Sequence, residues 1–161
     1  MDIQIDSREH KSELERIRGQ LERSGCRTFV SKLFVGDYMN LDNPRLIIDR
    51  KKDLQELCGN VCQQHERFRA ELIRARDAGI QLVILCEHGG QIKTLEDVYF
   101  WKNPRIRRSP KATTGRQLYK SLCTIRDRYG VRFEFCDKRR TGQRIVEILN
   151  NGLPEVRQTN S

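Results

Sequence analysis

No stretch of this chain approaches the roughly 20 consecutive apolar residues that a membrane-spanning helix requires, which excludes a helical membrane protein. The first residues, Met1-Asp2-Ile3-Gln4, carry an acid and lack the apolar segment of a secretory signal. Six cysteines are present, but never as a CxxC pair. Cys58 and Cys62 stand one helical turn apart, and without a second matching pair the pattern favours buried thiols over a metal site. These absences imply an intracellular, reducing location. Internal repeats and an interdomain linker are also lacking. The 161 residues therefore read as a single domain over 1–152, long enough for a core, with a polar tail, 153–161, expected to be disordered.

Acid is missing from one long stretch. Between Asp97 and Asp127 there is none, while Lys102, Arg105, Arg107, Arg108, Lys111, Arg116, Lys120 and Arg126 are all basic. The formal net charge of +9 favours a polyanionic partner. Pro104, Pro110, Thr113, Thr114 and Gly115 predict a flexible loop over most of the basic span. Arg105, Arg107, Arg108 and Lys111 are candidates for contacting nucleic-acid phosphates. Tyr99, Phe100 and Trp101 stand at its entrance, either to wedge against a base or to fill the core.

Hydrophobic periodicity supplies the frame. Residues 2–6 read as a strand, and Leu14, Ile17 and Leu21 form the stripe of a helix over His10–Arg23 that stops at Gly25. Thr28–Leu33 reads as a second strand. Lys52–Asp77 is helical, with a break expected at Gly59-Asn60. Ile80–Cys86 is a near-continuous apolar strand, expected to be buried on both faces. A short helix over Thr94–Phe100, a helix marked by Leu118, Leu122, Ile125 and Tyr129, a strand Val131–Cys136 and a helix Gly142–Asn150 complete the order. Such an alternation implies a mixed sheet with helices on both faces.

Chemistry concentrates between Val35 and Lys51. Phe34–Met39 and Arg45–Lys51 read as two strands joined by the turn formers Asp42, Asn43 and Pro44. A turn centred there sets Asp37 and Asp49 nearly opposite, with Cβ atoms expected roughly 4.5–5.5 Å apart. Strand alternation turns Lys51 to the side of Asp49 and Arg50 away from it. Adjacent carboxylates repel unless a cation neutralises them, and oxygen ligands of this kind suit magnesium, with manganese as a substitute. A neighbouring lysine can orient or deprotonate water, or stabilise charge on a phosphate. The ordinary alternative is a hairpin with surface charges.

Three short motifs in order narrow the choice. Asp6-x-Arg8-Glu9 at the end of the first strand, Gly36-Asp37 and Asp49-Arg50-Lys51 together resemble the nuclease domain of the XPF family of structure-specific DNA endonucleases, within the PD-(D/E)XK superfamily. Arg67 on a helix, followed by an apolar strand ending at Glu87, extends the resemblance over roughly residues 2–150. It implies a restriction-endonuclease-like α/β fold, a single-domain mixed sheet flanked by helices. It further implies metal-dependent cleavage of branched or flapped DNA. Asp37, Asp49 and Asp6 would be metal ligands, Glu9 an additional catalytic acid and Lys51 the group that positions water. Arg8, Arg50 and Arg67 would contact phosphate or support the site. A homodimer or a separate DNA-targeting protein would be a partner.

The chain departs from the family at three points. Asp49 stands where the family usually has Glu, which keeps the charge and shortens the reach. Gln55 occupies the place of a family Asp, with Asp53 and Glu56 beside it. The tandem helix-hairpin-helix domain of many relatives is not found in these residues. A catalytically silent DNA-binding subunit is the alternative from another class, although the intact Asp37, Asp49 and Lys51 argue against it. An RNA-directed module is supported by charge alone.

Overall fold

In a computed structural model, which describes residues 1–151, six strands form one mixed sheet in the order β2-β1-β3-β4-β5-β6. The strands are β1 (Asp2–Ile5), β2 (Arg27–Val30), β3 (Tyr38–Asn40), β4 (Leu46–Lys51), β5 (Gln81–Glu87) and β6 (Arg132–Cys136). β3 runs antiparallel to both β1 and β4, while the other pairings are parallel. Each parallel pair needs a crossover, and helices supply them.

The helices α1 (Lys11–Arg23) and α5 (Thr141–Asn150) cover one face. Ile17, Leu21, Ile145, Ile148 and Leu149 pack there on Ile3, Ile5, Ile48 and Val83. The other face is covered by α2 (Leu54–Cys62), α3 (His65–Asp77) and α4 (Gly115–Tyr129), whose Leu54, Leu57, Phe68, Leu72, Leu118 and Leu122 meet Ile47, Leu82 and Ile84. β5 is covered on both sides, and Leu82 through Glu87 are all buried, as its unbroken apolar run requires. The expected α/β sandwich of helices around a mixed sheet is present.

Several boundaries differ from the sequence expectation. The helical break falls at Gln63-Gln64 rather than Gly59-Asn60, because Gly59 continues the turns of α2. The expected strand Thr28–Leu33 ends at Val30, and Phe34–Asp37 lies outside β3. Gly36 has φ +69°, and a Cβ there would sit 2.6 Å from Ile47 Cγ2 and 3.0 Å from the Ile48 carbonyl oxygen. Only glycine tolerates both that backbone conformation and that approach, so the extended run stops there. The basic segment is also more built than its composition suggests. A 3₁₀ turn occupies Pro104–Arg107, and buried Asn103 ties the loop base by donating to the Thr113 carbonyl (2.9 Å). α4 then starts on a capping box between Thr114 and Gln117. Trp101 is buried, whereas Phe100 is 77% exposed. The proposed tail, 153–161, lies outside the described residues.

Candidate active site

The turn after β3 closes where the sequence places it, with Asn43 N–H donating to the Asn40 carbonyl (2.9 Å). This fixes the register as Tyr38 opposite Ile48 and Met39 opposite Ile47. Asp37 follows the last ladder pair. Its N–H donates to the Ile48 carbonyl (2.8 Å), and its Oδ2 accepts from Arg50 N–H (2.7 Å). The loop is thereby tied to β4, and the Asp37 and Asp49 carboxyls come together. Burial, the Asp49 charge and the Glu9 charge push the Asp37 carboxyl well above the usual carboxylate range.

Lys51 lies one alternation from Asp49, as the pleat demands, with Nζ 3.1 Å from Asp49 Oδ2. Burial opposes the ammonium, but Asp49 and Asp37 together hold it above its usual value. The Lys51 ammonium also stands 5.6 Å from the Phe68 ring centroid. These groups line a cavity of about 280 Å³ that also takes in Glu56, Arg67, Glu71 and Arg74.

Asp6, Arg8 and Glu9 of the first motif line the same cavity. Asp6 Oδ1 accepts from Leu33 N–H (2.8 Å) and Arg8 Nη2 (3.1 Å), while Oδ2 accepts from Arg8 N–H (3.1 Å) and Nε (2.8 Å). Burial works against its charge, but Arg8 and the Leu33 amide outweigh it and hold Asp6 below the usual range. Both oxygens are saturated by protein donors, so Asp6 pins the Leu33 loop instead of offering a free ligand to a cation. Arg8 keeps a side chain 58% exposed while making that pair.

Arg50 borders the cavity as well, but its guanidinium is engaged by protein acids. Strand alternation sends it to the opposite face, where its side chain is buried between Glu9 (Nη2–Oε1, 2.8 Å) and Glu87 (Nη1–Oε1, 2.6 Å). Glu87 also pairs with Arg16 (2.7 Å), and Glu9 accepts from the Tyr38 hydroxyl (2.9 Å). Glu9 and Arg50 therefore belong to an ion network beneath the hairpin. Glu13, at the more exposed edge, also pairs with Arg16, so three acids share two arginines here.

Arg67 reaches the cavity, and it forms no ion pair among the described residues. Arg105 and Lys111 instead line a separate cavity of about 280 Å³ with Gln55, Cys58 and Cys62. Gln55 thus points away from Asp49, while Asp53 caps α2 by accepting from Glu56 N–H (2.8 Å). Arg107 and Arg108 lie exposed on the same basic segment. Glu71 is the residue missed from sequence. Its Oε1 faces Gly36 N–H at 3.4 Å, and burial and the Asp49 charge raise its carboxyl. Its spacing of four from Arg67 and three from Arg74 on one helix face was the available signal.

The donor set fits a hard divalent cation. Asp49 is buried, and its Oδ2 is held by the Lys51 ammonium at 3.1 Å. Two buried carboxyls crowded together, with one lysine to offset them, are a costly arrangement that a divalent cation relieves. Among the described residues, no three acidic, His or Cys side chains converge as a full protein cage would need. Two carboxylates completed by water and phosphate are the usual magnesium arrangement.

A mixed sheet flanked by helices, with Asp37, Asp49 and Lys51 gathered on its central hairpin, defines a restriction-endonuclease-like domain. Within that class the chain belongs to the ERCC4 domain family, whose profile matches residues 5–149. Its fold is similar to XPF from Aeropyrum pernix, with a TM-score of 0.67 and 22% identity, covering 94% of this chain and 64% of that one. XPF from Aeropyrum pernix in complex with DNA gives a TM-score of 0.63 at 21% identity, covering 97% and 68%. The chain thus spans about two thirds of the length of these neighbours. No curated protein matches it. Among the described residues no helix is long and apolar enough to cross a membrane.

Proposed function

We propose that this domain is a magnesium-dependent DNA endonuclease acting on branched or flapped DNA, with manganese as a substitute metal. One observation carries the proposal: the buried carboxyls of Asp37 and Asp49 crowd together in one cavity with Lys51, whose Nζ lies 3.1 Å from Asp49 Oδ2. The XPF neighbour bound to DNA and the net charge of +9 support DNA as the partner. Asp37 and Asp49 would hold the metal, which when bound polarises the phosphate and lowers the pKa of water. Lys51 Nζ orients the attacking water and stabilises the charge that grows on the phosphate. Glu71 and Glu56 offer carboxylates on the helical wall of the cavity. Asp6 and Glu9 act through position, the first on the Leu33 loop and the second on Arg50. Exposed Arg8, Arg67 and Arg74 receive the flanking phosphates.

The test is cleavage of labelled flap, fork and linear duplex DNA in magnesium, manganese or EDTA, with wild type and Asp49→Ala. Cutting that needs metal and falls by at least about 10²-fold in the variant is expected. Equal cutting by both proteins places the site elsewhere. Tight binding without cutting by either identifies a silent DNA-binding subunit.

A further inference from the structure

Phe34 is 61% exposed, although the residues on either side, Leu33 and Val35, are buried. The loop holding it is fixed on both flanks. Leu33 N–H donates to Asp6 Oδ1 (2.8 Å), and the Leu33 carbonyl accepts from Arg8 Nη2 (3.1 Å). Beyond it, Gly36 is pressed against β4 and Asp37 N–H bonds the Ile48 carbonyl (2.8 Å). The ring therefore projects from a braced segment, not from a loose one. The Arg74 guanidinium lies over it, with Cζ 5.6 Å from the ring centroid. Arg74 also lines the cavity of Asp37, Asp49 and Lys51. Phe34 is three residues from Asp37, a chain distance of at most roughly 10 Å, so a nucleotide beside the scissile phosphate comes within its reach.

We propose that Phe34, braced by Arg74, is a stacking platform for an unpaired base next to the phosphate being cut. An aromatic face accepts any base without reading its sequence, and an adjacent guanidinium adds cation–π and phosphate attraction. A base held in a duplex is already stacked and cannot offer its face, so the platform favours DNA with single-stranded character at the cut. Arg74 supplies charge where the ring supplies area. This assignment rests on the proposed nuclease site for the position of the phosphate, and it adds the group that selects the strand.

The test uses fork DNAs carrying one 2-aminopurine at successive positions around the junction, bound to protein held inactive by Asp49→Asn in magnesium. Quenching is expected at one position, lost when Phe34→Ala is added and restored by Phe34→Trp. In the active protein, Phe34→Ala should slow single-turnover flap cleavage on the order of tenfold. An abasic nucleotide at the quenched position should slow wild type equally and slow Phe34→Ala no further. The platform is overturned if no position distinguishes Phe34 from Phe34→Ala in fluorescence, or if the abasic and alanine effects simply multiply. Quenching is read without turnover, so DNA that binds but is not cut sinks the nuclease proposal while still deciding the role of Phe34.

Discussion

Asp37 illustrates how the site is bought with stability. Its carboxyl is raised by burial, then by Asp49 and Glu9. A folded-state pKa above the unfolded value means that the metal-free protein binds the proton better than the unfolded chain does. Stability from this group is therefore present at low pH and declines as pH rises from the unfolded carboxylate value, about 3.9, through the raised folded one. Asp37→Asn removes that loss and keeps an oxygen to accept from Arg50 N–H. It should stabilise the metal-free protein by roughly 0.5–2 kcal/mol at neutral pH, abolish cleavage and remove any rise in Tm on adding magnesium. Thermal melts in EDTA and in magnesium, across pH 4–8, check all three. A lower Tm in EDTA would show that Asp37 is structural. Most of this residue-scale chemistry was legible: the turn formers fixed the hairpin, and the period of two set Lys51 beside Asp49. Glu71 was only hinted at by its spacing from Arg67 and Arg74, because its role depends on α3 packing against the Gly36 loop.

At the scale of elements, β4 works with both faces. Asp49 and Lys51 serve the cavity, while Arg50 ties β4 to α1 and β5 through Glu9 and Glu87. Removing one partner from such a buried set leaves uncompensated charge. Arg50→Ala should destabilise the protein by roughly 3–5 kcal/mol, measured by urea denaturation. Arg50→Lys should rescue little of it, since one ammonium cannot make both paired contacts. If Arg50→Ala instead folds with unchanged stability and loses only DNA affinity, the phosphate-contact role expected from the motif returns. The alternation already turned Arg50 away from Asp49. What the strand pattern alone lacked was the identity of the acids waiting on that side, contributed by residues far apart in sequence.

For the whole molecule, charge is the long-range property. Arg107 and Arg108 stand exposed on the basic segment, apart from the catalytic cavity. If they meet duplex phosphate, Arg107→Ala with Arg108→Ala should reduce the slope of log affinity against log salt by about 1.8. Cleavage of bound DNA should stay near wild type. Fluorescence anisotropy over a salt series reads the slope, and an unchanged slope would remove this segment from the DNA path.

By itself the sequence determined the alternation of strands and helices, the hairpin carrying Asp37, Asp49 and Lys51, and the burial of β5. These follow from local rules: side-chain period, turn chemistry and the length of apolar runs. Tertiary structure alone decided which charged groups remain available. It saturated Asp6 with Arg8 and the Leu33 amide, enclosed Arg50 between Glu9 and Glu87, set Gln55 in a separate cavity, and brought Glu71 and Arg74 to the cavity wall, with Phe34 beside Arg74. The physical reason is that a charge's role depends on its partners and its solvent. Both are set by chain segments that meet only when the sheet and its helices pack.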